Sequence, residues 1–198
     1  MLRIALLAFC LTFLALPALA GRGANTPETQ FVQRLGDKAL NSLTAKELPA
    51  AERSKRVRDL LRNNFDIKTI GRFTMGSSWK KATEAQKAEY LDLFEDMIVS
   101  TYTARFADYS GQSFKVLGSA PSGKDTVVSS QIVQKSGDPV NVGWQVRDKG
   151  AGLRIVDVTV EGISMSVTQR SDFEAIVQSG GGKVDALIAS LRKRTRKG

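Results

Sequence analysis

Residues 113–160 carry four strand-length segments, SFKVLGS, TVVSSQIVQ, VNVGWQVRD and LRIVDVTV, separated only by short turn signals. The turns read Pro121-Ser122-Gly123, Ser136-Gly137-Asp138-Pro139 and Lys149-Gly150-Ala151-Gly152. Connections this short cannot carry a parallel crossover, so the four segments must form an antiparallel meander. In the third segment Val140, Val142, Trp144 and Val146 alternate with Asn141, Gly143, Gln145 and Arg147. One sheet face is therefore buried and the other is wetter.

Helical blocks flank the meander. Thr26-Pro27-Glu28 is a helix start, followed by Phe31, Leu35 and Ala39 at helical spacing. TAKELPAAERSKRVRDLLRNNFD places Val57, Leu60 and Leu61 on one face, and FDIKTIGRFTMGSSW holds a short helix stopped near Gly76. Thr83 to Gln86 forms a capping box. The long helix behind it carries a stripe of Tyr90, Phe94, Met97, Ile98, Thr101 and Tyr102. After the meander, SVTQRSDFEAIVQSGGG and KVDALIASLRKR give two more helices. The expected fold is α+β: a four-stranded antiparallel meander packed against N- and C-terminal helices.

The ends of the chain bear on compartment and charge. MLRIALLAFCLTFLALPALA has one cation, an apolar run and a small-x-small site before Gly21. Residues 1–20 are expected to be a cleaved signal peptide and residues 21–198 one domain. Cys10 is the only cysteine and lies in that segment, so the mature chain is expected to build its core without disulfides. The net charge is +9; residues 1–20 hold one of these charges and 192–198 hold five, leaving a body of about +3. The basic tail, 192–198, is expected to be disordered and to meet anionic membrane surfaces transiently. Export and the lack of aromatic residues beside those cations argue against nucleic acid.

Catalysis finds no support. The chain has no histidine, which excludes Ser-His-Asp and Cys-His machinery and imidazole metal sites; the mature chain also lacks thiolates. Gly162-Ile163-Ser164-Met165-Ser166 lacks the second glycine of a nucleophile elbow, so Ser164 is expected to cap the following helix. Gly180-Gly181-Gly182-Lys183 has Val184 where a phosphate loop needs Ser or Thr. Asp157 and Glu161, four apart on a strand, would stand about 13 Å apart, too far for paired acid-base work. No cofactor or metal is expected.

Several landmarks in fixed order resemble the MlaC family, also called the toluene-tolerance auxiliary family. These are MGSSW, the long helix with its Phe and Tyr, and VDVTVEGIS leading into QRSDF. The resemblance runs from about Phe31 to Arg194. Two positions depart from it: Gln169 stands where an aromatic often precedes the arginine, and Leu153 where a tryptophan often opens the last strand. The resemblance implies a periplasmic carrier that holds one phospholipid by its tails. It would shuttle between an outer-membrane lipoprotein complex and the substrate-binding ring of an inner-membrane ABC transporter. A hopanoid-associated branch shares these motifs, which leaves the lipid class open.

A two-tailed lipid in water must hide on the order of 30 methylenes at ~0.8 kcal/mol each. This favours an apolar cavity between sheet and helices. Phe94, Met97, Ile98 and Tyr102 are expected to form one wall, and Val142, Trp144, Val146, Val156, Val158 and Val160 the other. Ile163, Met165 and Arg170 are expected at the mouth, near the head group. Simple core packing explains the same apolar residues. A ligand-free adaptor module is the competing class, and lipid extraction separates the two.

Overall fold

The computed structural model describes residues 23–196; the expected signal peptide and the last two residues of the basic tail lie outside them. Helix α1 (Pro27–Leu43) starts at Thr26, whose hydroxyl accepts from the Thr29 N–H while the Thr29 hydroxyl accepts from the Thr26 N–H. Helix α2 (Ala50–Asn64) begins after Pro49, six residues later than the start of the segment read from sequence. Proline at the N-cap gives the following helix its first turn without needing an N–H there. Arg53 is buried on α2; its Nε–H donates to the Leu43 carbonyl and its NH2 group to the Ala45 carbonyl, both at 2.9 Å. That side chain satisfies carbonyls that the end of α1 leaves free.

Helix α3 (Ile67–Met75) is capped by Asp66 and runs into a 3-10 turn at Gly76–Lys80. Gly71 lets α3 approach α4 (Glu84–Ala107): a Cβ there would sit 2.7 Å from Leu91 Cδ2. The Tyr90 hydroxyl crosses the same contact, donating to the Gly71 carbonyl at 3.0 Å and meeting Thr74 Oγ1 at 2.8 Å. Burial raises the pKa of that phenol and fixes it as a neutral donor.

The sheet has five antiparallel strands in sequential order, which corrects the expected four. They are β1 (Ser113–Ser122), β2 (Asp125–Val133), β3 (Val140–Asp148), β4 (Leu153–Val160) and β5 (Ile163–Ser164). The fifth is two residues long, too short to carry a periodicity. It exists because Glu161 and Gly162 both have positive φ, 48° and 78°, as a two-residue hairpin turn requires. Glu161 is held in that conformation by its carboxylate, which accepts from the Asn141 backbone N–H and side-chain amide. At the far end of β2 and β3, Asp125 accepts from Arg147 and Gln145. The Arg147 bonds hold its carboxyl below the usual range, against the opposing effect of burial.

Two irregularities shape the sheet. One shifts the β1 register between Val116 and Gly118. The other falls between β3 and β4: Gln145 faces Asp157, yet Val146 faces Ile155, so Val156 is the extra residue of a bulge. The α2–α3 junction runs beside the bulged strand: Phe65 forms a parallel bridge to Ile155, and the Asp66 N–H donates to the Ile155 carbonyl at 2.9 Å.

Helices α5 (Met165–Ser179) and α6 (Val184–Thr195) complete the helical layer. The tail expected to be disordered from residue 192 is therefore helical through Thr195. Arg192 is anchored there, its Nε–H donating to Glu89 Oε1 at 2.6 Å, and cations suit a helix C-terminus.

Candidate functional site

The residues expected to line one cavity divide among three packed groups. Tyr90 stacks on Phe94 with centroids 5.8 Å apart, and Phe173 meets both edge-on at 6.0 and 6.2 Å. This aromatic centre, with Met75, Val177, Leu187, Ile188 and Leu191, is the core of the helical layer. Phe94 and Met97 belong to it, not to a wall facing the sheet. Ile98 packs against this group and against the sheet-side group. Tyr102 is exposed, with the Arg105 guanidinium 5.7 Å from its ring centre.

On the sheet, Val146 is buried with Val128 and Val32 under α1. Val142, also buried, lies opposite Val160. Trp144 and Val158 are neighbours across β3 and β4 and are only half-buried. They pack against a group built from Leu35 and Leu43 of α1, Val57, Leu60 and Leu61 of α2, and Val99 of α4, with Ile155 beneath. The bulge takes Val156 out of step with Val158, and Ile155 takes the place opposite Val146.

The interior between sheet and helices is thus apolar from both sides but unevenly closed. Phe31, Phe65, Ile67, Ile98, Phe106, Trp144 and Val158 surround its buried members and are each half-buried. Sequence reading missed Val99, Phe106, Phe65 and Ile155 there. Phe106 follows Val99 by seven residues, a helical repeat open to inspection; the pairing of Phe65 with Ile155 had no local signal. The Trp144 indole N–H donates to Ser130 Oγ at 2.8 Å, and Ser130 donates to the Val142 carbonyl at 3.2 Å, which fixes the indole on the sheet. On α4, Thr103 Oγ1 is buried without a hydrogen-bond partner among the described residues, as is Gln169 Nε2 on α5.

The expected mouth residues do not reach back into this interior. Ile163 is 61% exposed and Met165 37%. The Arg170 guanidinium lies 5.4 Å from the Phe73 ring centre, and its Nε–H donates to Glu174 at 2.9 Å. Ser164 caps α5: its hydroxyl accepts from the Val167 N–H and donates to Asp157 Oδ2 at 2.6 Å. Asp157 also accepts from the Ser166 N–H at 3.1 Å. Asp157 therefore ties β4 to α5, and Glu161 ties the hairpin to β3, so the two carboxylates have separate structural roles.

Two surface depressions, of about 470 and 410 Å³, lie elsewhere. The first is lined by Ala189, Arg192, Lys193 and Arg196 of α6; the second lies between the 3-10 turn and the end of α5. Neither is lined by a residue expected to hold lipid tails. Among the described residues no group of three or more acidic side chains is placed to hold a metal ion. What the arrangement offers is an apolar interior packed between sheet and helices, with half-buried side chains at its margin.

Comparison with known proteins agrees with this architecture. The chain is 21% identical over 194 residues to the intermembrane phospholipid transport system binding protein MlaC of Haemophilus influenzae, covering 92% of this chain and 90% of that one. It superposes on a phospholipid-binding protein of Ralstonia solanacearum, solved in complex with a phospholipid, with a TM-score of 0.73 at 23% identity. That likeness covers 85% of this chain and 96% of the other, and establishes the shared fold. The MlaC protein family matches residues 33–193, nearly all of the two helical blocks and the whole sheet between them. With its landmarks in order and its fold in common, the chain belongs to the MlaC family.

Proposed function

We propose that this protein is a periplasmic phospholipid-binding shuttle, with one lipid as cargo and no cofactor. The observation that carries the reading is the match to the MlaC family over residues 33–193. The half-buried apolar rim between α4 and strands β3 and β4 supports it from the chain's own structure. Tails would enter by parting that rim, with Val158, Ile98 and Phe106 giving way beside the fixed Trp144 indole and around the buried Val99 and Ile155. Each methylene moved from water into this interior contributes ~0.8 kcal/mol, enough in sum to hold two tails against loss to solvent. The polar head stays outside, where water costs it nothing.

On this reading residues 1–20 direct export and are removed before Gly21. The carrier then passes lipid between an outer-membrane lipoprotein complex and the substrate-binding ring of an inner-membrane ABC transporter, maintaining outer-membrane asymmetry. The test is organic extraction and mass spectrometry of protein purified from the periplasm. One phospholipid per chain is expected. Protein that is folded, periplasmic and empty would refute the assignment, and a hopanoid in its place would redirect it to that branch.

A further inference from the structure

The interior does not account for a second apolar feature, the exposed cluster at the start of α5. Ile163 is 61% exposed, Val167 51% and Phe73 41%. Ile163 follows the tight Glu161-Gly162 turn, and Val167 lies four residues further along. Val167 and Arg170, three apart, share a face of α5. Arg170 lies over the Phe73 ring, which joins α3 to the same surface. Three large apolar side chains this exposed cost solubility unless something covers them.

The charges around them select what that is. The N-terminus of α5 is already capped, by Ser164 and by the Asp157 carboxylate, so the positive charge at this edge comes from its guanidinium groups. Arg72, next to Phe73, is exposed and has no carboxylate within 4.0 Å among the described residues. Three of the nearby acids are engaged: Glu174 accepts from Arg170, Glu161 from Asn141 and Asp157 from Ser164 and Ser166, while Asp172 is exposed further along α5. Aliphatic side chains at a turn tip, with guanidinium groups set beside them, match an anionic bilayer interface, where apolar groups enter the acyl boundary and cations meet phosphate.

We propose that Ile163, Val167 and Phe73, flanked by Arg170 and Arg72, form a docking edge that rests this protein directly on a phospholipid bilayer. The proposal builds on the carrier reading, since the bilayer is where cargo would be gained or lost. Flotation of the full processed protein with vesicles of phosphatidylcholine and phosphatidylglycerol tests it. The Ile163→Ser, Val167→Ser double variant should bind about tenfold more weakly, and Arg170→Gln should weaken binding to the anionic vesicles but not to pure phosphatidylcholine. The double variant should melt as the parent does, because Ile163 and Val167 are exposed, and Val167→Ser alone serves if it does not; Arg170→Gln gives up the Glu174 pair, so its flotation is measured well below its own melting temperature. Parent that fails to float, or a double variant that floats equally well, overturns the proposal. Unchanged flotation with lost lipid exchange to a partner complex would make the edge a protein-docking face and overturn it too. Lipid content measured in the same samples keeps the carrier reading separate: an empty parent that still floats refutes that reading and leaves the docking edge standing.

Discussion

Enlarging a side chain on the sheet should have opposite consequences at two positions only a few residues apart in space. Val158 is half-buried on the rim of the interior, whereas Val146 is 1% exposed and packed against Val32 and Val128. In Val158→Trp the indole adds roughly the bulk of three to four methylenes, which a tail would otherwise occupy. At ~0.8 kcal/mol per methylene excluded, lipid retention should fall by about 3 kcal/mol, on the order of 100-fold. The rim has room to adjust, so stability should change little. Val146→Trp has no such room, and overpacking there should cost ~1–3 kcal/mol with lipid content unaffected in the protein that still folds. Extracted lipid per chain and the melting temperature, measured together on both variants, give the answer. If Val158→Trp keeps its lipid and loses as much stability as Val146→Trp, the rim is ordinary core and tails lie elsewhere.

Other outcomes follow from the polar anchors. The carboxyl of Asp125 is held below its ordinary value of 3.8 by Arg147; its stabilising effect is complete above that value and is lost as pH falls through the lower folded-state value. Asp125→Asn should therefore lower the melting temperature at neutral pH and flatten its decline in acid, read from melting curves across pH. Arg53→Met strands the Leu43 and Ala45 carbonyls, and urea unfolding should show a loss of ~1–3 kcal/mol. Neutralising Lys193, Arg194 and Arg196 to Gln should slow lipid delivery to anionic vesicles at low salt, by up to ~1 kcal/mol per charge, without emptying the protein. At high salt, delivery by the variant and by the parent should converge.

Local chemistry made much of this fold readable. The Thr26 and Thr83 caps, the glycine-bearing turns between strands and the alternation of Val140, Val142, Trp144 and Val146 each act within a few residues, and their elements stand where they were expected. The fifth strand was not readable, because two residues carry no period and its turn rests on a strained Glu161 secured by Asn141, twenty residues away. The site was less legible than the fold. Strict alternation along β4 would place Val156 beside Val158, but the bulge gives that place to Ile155, and nothing in LRIVDVTV marks the extra residue. The α4 stripe likewise turns around the helix, so Phe94 looks into the helical layer while Val99 and Phe106 look toward the sheet. A helix sandwiched between two cores shows apolar residues on both sides, and its sequence alone does not say which side meets a ligand.

The bridge between Phe65 and Ile155 has a consequence for how this protein behaves when empty. Beyond Thr159, β5 offers β4 no partner, so Ile155 would present free backbone groups to any passing strand; Asp66 takes up its carbonyl instead. On the opposite margin, β1 carries Lys115, a register break beside Leu117 and Pro121, each of which spoils regular pairing with a second chain. If the protein opens its apolar interior to exchange cargo, as proposed, these features would keep it from polymerising through its sheet while that interior is exposed.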